Sequence, residues 1–220
     1  MNTETYRKWM KQWNLDAILP KRIGDFVRGS VTLKEEERRV FFHYEDVEKN
    51  WKIEGFFQEE TQDFVVKYDI GVAIWTELRF LLGDGEMFGK ALKAEFVERV
   101  TSRLVDPKRH LPRAVADLRL ETYDWDELMP LECGIFRLKV HPYAPIEGLN
   151  GSYLVGLYAD AENNYGVLLF YNTFRNEFFA EICNHRVPGM IHDLDAAHVE
   201  GWRQVLKERL PMVMERLLTT

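Results

Sequence analysis

The chain has 220 residues, a net charge of −7 and a hydrophobic fraction of 46%, which suits a folded protein with one large domain or two small ones. Its acidity argues against nucleic acid as a partner, because phosphate binding needs clustered Lys and Arg to displace counterions. No apolar run is long enough to span a bilayer, and the amphipathic, charged stretch Met1–Trp13 lacks an apolar h-region, so no secretory signal and no membrane role are expected. Cys133 and Cys183 form no C-x-x-C pair, and reduced thiols in a cytoplasmic protein are expected.

The first predicted element is a short helix. Tyr6, Trp9, Met10 and Trp13 recur at i, i+3, i+4, i+7, an apolar stripe that should dock on the domain's own core. After Pro20 the period changes to two. Strands are expected over Phe26–Leu33, around Val40, Phe42 and Tyr44, over the Trp51 to Phe57 alternation and over the Phe64 to Ile70 alternation. Val72–Leu82 is ambiguous and is assigned to a further strand. A long amphipathic helix follows over Glu86–Leu104, with Phe88, Leu92, Phe96 and Val100 on one side; Asp106-Pro107 ends it.

Residues 108–131 form an irregular bridge in which a short helix is expected. The second half then repeats the theme. Phe136, Leu138 and Val140 alternate with charged residues, Tyr153–Ala159, Val167–Tyr171 and Phe178–Cys183 complete a meander, and turns fall at Asn163-Asn164 and Arg175-Asn176. The last helix is placed at Asp195–Leu218 with Asp195 as its N-cap; Pro211 should kink or restart it.

The halves can be laid over each other. Trp51–Ile70 on Ser152–Tyr171 aligns Gly55 with Gly156 and Phe57 with Tyr158, an offset of 101, whereas the helices align at an offset of 114. The difference makes His185–Ala197 an insertion. The expected fold class is therefore α+β: two antiparallel β-meanders, each flanked by helices, related by internal duplication. The halves are 1–107 and 108–220, packed as one globule. The helix–meander–helix outline resembles small secretion-chaperone-like proteins, without a shared motif.

Three constellations carry chemistry worth weighing. Cys183, His185, His192 and His198 supply zinc-ligand types, but no H-x-x-x-H or C-x-x-C spacing joins them. Gly83 to Gly89 reads G-x-G-x-x-x-G with Asp84 and Glu86 inside it, which fits a tight turn into a helix better than a dinucleotide site. No serine sits in a nucleophile elbow, and no cofactor is implied.

The remaining segment is Glu121–Glu132, the acidic maximum of a second half that holds 16 Asp and Glu against 10 Lys and Arg. Tyr123, Asp124, Trp125, Asp126 and Glu127 are its candidate partner-binding residues, with Trp125 as a partly exposed aromatic anchor in an acidic ring for a basic protein. The function expected is non-catalytic protein binding, chaperone-like or inhibitor/immunity-like. The alternative is a metal-dependent enzyme or sensor built on Cys183, His185, His192 and His198.

Overall fold

The computed structural model describes residues 3–31 and 39–219; the end of the strand expected over Phe26–Leu33 lies outside them. The fold is α+β, with two open antiparallel sheets, and the chain divides into compact units Met1–Val105 and Asp106–Thr220. Among the described residues no helix is long and apolar enough to cross a membrane.

In the first unit, helices α1 (Thr3–Trp13) and α2 (Leu15–Ile18) precede strands β1 (Arg22–Ile23), β2 (Phe26–Arg28), β3 (Arg39–Asp46), β4 (Trp51–Gln58), β5 (Asp63–Asp69) and β6 (Ile74–Thr76), which lie in the sheet in chain order. Helix α3 (Gly85–Val100) follows and runs into a π-helical turn at Thr101–Val105. Its predicted stripe of Phe88, Leu92, Phe96 and Val100 is fully buried. Phe88 stacks on Phe64, and Phe96 meets Phe42 edge-on. A bulge between Val40 and Phe42 lets Phe41 and Phe42 both face the core, which the plain alternation of the sequence does not foresee. The ambiguous Val72–Leu82 stretch is strand only over β6; a 3-10 turn at Leu78–Phe80 follows.

The glycines that open α3 are explained by α1. A Cβ on Gly85 would lie 2.6 Å from Trp9, and one on Gly89 would lie 2.4 Å from Trp13. Trp13 Nε1 also donates to the Gly85 carbonyl at 2.8 Å. Asp84 caps the helix by accepting from Met87 N–H at 2.8 Å. These glycines are spent on close packing.

In the second unit, a four-residue helix α4 (Arg113–Ala116) precedes β7 (Glu132–Cys133), β8 (Phe136–Val140), β9 (Ile146–Glu147), β10 (Ser152–Ala159), β11 (Gly166–Asn172), β12 (Glu177–Asn184) and β13 (Val187–Ala196). The sheet runs β13-β12-β11-β10-β8-β7, with β9 pairing to β10 off this path. Helix α5 (Val199–Thr219) covers it and stays helical through Pro211. Trp202, Leu206, Leu210, Val213 and Leu217 are buried as the stripe requires. The helix starts four residues later than expected. Asp195 belongs to β13, where its carboxylate meets His192 Nδ1 at 2.7 Å.

The pairings of the two sheets coincide at a single offset of 114. Tyr44 faces Ile53 and Tyr158 faces Val167. The bulge between Val40 and Phe42 returns between Leu154 and Gly156. Phe57 faces Phe64 as Tyr171 faces Phe178, and the isolated bridge of Phe64 with Leu82 becomes that of Phe178 with Ala196. The first hairpins match at 110: Ile23 with Phe26, and Cys133 with Phe136. This corrects the offset of 101, which slips by one strand and lays β4 on β10, the counterpart of β3. It also removes the inferred insertion, because His185–Ala197 contains β13, the counterpart of β6 and the turn after it. The matching glycines misled because each sheet has one glycine in the same cross-strand pair, on opposite strands: Phe42 over Gly55, and Leu169 over Gly156.

One buried pair differs instructively. Glu77 and Arg103 form an ion pair at 2.8 Å with both side chains buried. Their counterparts at the 114 offset, Ile191 and Leu217, are both buried and apolar. Removing one member of a buried pair strands a charge, whereas an apolar replacement of both avoids desolvation. Arg103→Leu alone is expected to cost about 3–5 kcal/mol in urea denaturation, and Glu77→Ile with Arg103→Leu to return to wild-type stability or above. A double variant as unstable as the single one would refute this. Gly89→Ala, which in an open helix would stabilise by up to about 1 kcal/mol, is expected instead to lower the melting temperature, because the added methyl meets the Trp13 ring.

Candidate functional site

The acidic segment is built on a buried tryptophan. A 3-10 turn at Leu120–Thr122 brings the chain onto α5, and Trp125 turns inward to full burial, correcting the expectation of an exposed anchor. Its Nε1 donates to the Leu120 carbonyl at 2.6 Å and its ring lies 5.3 Å from that of Trp202. Trp13 lies 5.4 Å from Phe88, the counterpart of Trp202. Trp125 therefore does in the second unit what α1 does in the first: it covers the part of the sheet and helix that the long helix leaves open.

The neighbouring residues hold this segment to α5. Tyr123 Oη donates to Glu200 at 2.8 Å, raising the phenol's pKa and contributing to the lowered pKa of the carboxyl. The Arg203 guanidinium lies over the rings of Tyr123 and Trp125, and donates to the Asp124 carbonyl at 3.3 Å. Asp124, Asp126 and Glu127 are left on the surface. Asp126 lies 3.8 Å from His141 Nε2. Burial depresses the His141 pKa and Asp126 opposes the shift; Nδ1 meanwhile accepts from Tyr143 N–H at 3.2 Å.

Behind the acidic residues the segment leaves an apolar cavity of about 160 Å³ in the second unit. Leu128 and Cys133 line it on one side, Tyr158 forms another wall, and Leu206, Leu210 and Met214 of α5 complete it. Glu127 and Lys207 are its charged wall residues, and Pro211 also borders it. Tyr158 is fixed there by donating from Oη to the Pro130 carbonyl at 2.8 Å, and burial raises its pKa. Leu131, Ile135 and Met212, next in sequence to the lining residues or on the same hairpin, are 72%, 51% and 66% exposed. Sequence reasoning found the acidic half of this site. It missed the apolar half, whose residues come from three separated stretches.

The histidines are not brought together. His185 bonds Tyr165 Oη at 2.8 Å, His192 pairs with Asp195, and the His198 carbonyl accepts from Trp202 N–H at the start of α5. Cys183 is buried, and its Sγ contacts the Asn164 carbonyl at 3.8 Å. Among the described residues no group of three or more His, Cys, Asp or Glu could hold a metal ion. No protein-family model, curated protein or solved structure matches the chain.

The His141 environment gives a pH test. A histidine kept neutral by burial lets the unfolded chain bind its proton first as pH falls, so stability is lost on acidification through about 6.5. By NMR titration His141 should show a pKa below the usual value, and Asp126→Asn should lower it further, because Asp126 is the group opposing the shift. An upward shift in that variant would contradict the assignment.

Proposed function

We propose that this chain is a non-catalytic binding protein that recognises a polypeptide partner through its second unit, and that its two units descend from one duplicated ancestor. The observation supporting the binding role is the pairing of an apolar cavity with exposed Leu131, Ile135 and Met212 beside the carboxylates of Asp126, Glu127 and Glu132. Apolar contact area with a charged rim is the make-up of a protein interface. The coincident registers support descent from one unit. A cytoplasmic setting agrees with two free cysteines, Cys133 and Cys183, and the net charge of −7 disfavours nucleic acid.

Photo-crosslinking tests the reading. Ile135→p-benzoylphenylalanine places the reactive group beside the cavity without lining it, and a matching label at Arg22 in the first unit serves as control. A discrete adduct in lysate of the source organism is expected from position 135 alone, with a yield that falls as salt screens the acidic rim. Equal labelling from both positions, or none from either, would sink the assignment to this surface.

A further inference from the structure

The first unit indicates what the cavity of the second lacks. The frame is the same in both: Tyr44 Oη donates to the Pro20 carbonyl at 2.7 Å, as Tyr158 does to that of Pro130 at 2.8 Å. In the first unit this frame is filled. Phe96, the counterpart of Leu210, packs on Tyr44 with ring centroids 5.7 Å apart. Ile23, the counterpart of Cys133, is buried. Gly24 is roofed by Val105, whose Cγ1 lies 2.5 Å from where a Cβ would be.

In the second unit two of the three fillers are smaller, and the third has no counterpart over the hairpin glycine. Leu210 stands in place of a phenyl ring and Cys133 in place of a longer aliphatic chain. A Cβ on Gly134, the counterpart of Gly24, would meet nothing within 4 Å. The void of about 160 Å³ is lined by Leu210 and Cys133, the two smaller side chains, in the same frame. A dry apolar cavity of about 150 Å³ is large enough to bind benzene.

Resting on the binding role proposed above, we infer that this cavity receives one phenylalanine-sized side chain of a partner polypeptide that carries Lys or Arg beside it. The internal precedent sets the size: Phe96 is the group that completes this frame in the first unit. Charge complementarity sets the neighbours. Asp126, Glu127 and Glu132 are exposed around the site; Lys207 is in the wall, and Arg137 is already paired with Glu132 at 3.3 Å. Leu131, Ile135 and Met212 extend the contact beyond the cavity, over an area that one side chain alone would not cover.

The test is a selection of random displayed peptides against the whole chain, compared with the filled variant Cys133→Ile with Leu210→Phe. Those side chains already coexist on this frame in the first unit, so the variant should keep the wild-type circular dichroism and melt no lower. The enriched peptides should carry an aromatic or large aliphatic residue near Lys or Arg. They should lose at least about tenfold in affinity for the filled variant, and weaken for Glu127→Gln with Glu132→Gln. If the filled variant does not fold, Leu131→Glu with Met212→Glu on the surface must give the loss instead.

Peptides that bind wild type and the filled chain equally would overturn the cavity assignment and leave a binding role elsewhere on the molecule. No enrichment at all would overturn both. Concentration-dependent self-association abolished in the filled variant would make the occupant a second copy, and the partner proposed here would be wrong.

Discussion

The constraint that organises each unit is the cover of a six-strand sheet path by one helix. Strands spaced by about 4.8 Å make such a sheet roughly 25 Å wide, whereas a helix with its side chains is about 10–12 Å across. Helices α3 and α5 leave part of one apolar face open, and an unrelated piece of chain must close each gap. In the first unit that piece is α1, seated so closely that Gly85 and Gly89 are needed beneath Trp9 and Trp13. In the second unit it is the irregular stretch around Leu120, Trp125 and Met129, all buried. The cover differs because the second unit has only the four-residue α4 where the first has an eleven-residue helix.

This difference explains which parts of the fold were legible. Periodicity identified the long helices and most central strands because each buries one face against a wide, regular surface. Short pairings failed: β1, β7 and β9 are two residues each and carry no period. The tryptophan of the second cover was misjudged for a related reason. Trp125 sits among five acidic residues with no helical or strand spacing to its apolar neighbours, so composition suggested a surface, while the need for cover determined its burial. The stretch around His185 was misread because β13 lies at the sheet edge, with Val187, Met190 and His192 exposed and no apolar alternation to announce a strand.

Internal comparison at the wrong offset shows how local identity can mislead. Gly55 and Gly156 occupy the same cross-strand pair from opposite strands, next to the same bulge. That site holds one large side chain and the bare backbone beneath it: Phe42 lies over Gly55, and Leu169 over Gly156. Either strand can supply the glycine, so matching glycine to glycine shifts the alignment by a strand. The pairing register is the better guide, because it relates every position from β3 to the end of α3 to one in the second unit at a single offset.

That correspondence also separates residues shared by both frames from those that differ between them. Tyr44 and Tyr158 retain both burial and the hydrogen bond to a proline carbonyl, so the first hairpin is tied to the sheet in the same way twice. Around this tie the units differ in opposite senses. The first keeps a buried ion pair at Glu77 and Arg103 but fills the space under the hairpin with Phe96, Ile23 and Val105. The second has the apolar pair Ile191 and Leu217 in the position of the ion pair and leaves that space open. An unfilled cavity costs stability roughly in proportion to its volume, whereas exchanging a buried ion pair for packed apolar residues is neutral or stabilising. The second unit thus combines open space under its hairpin with a packed apolar pair where the first unit has an ion pair, so the two units place their imperfect packing in different regions.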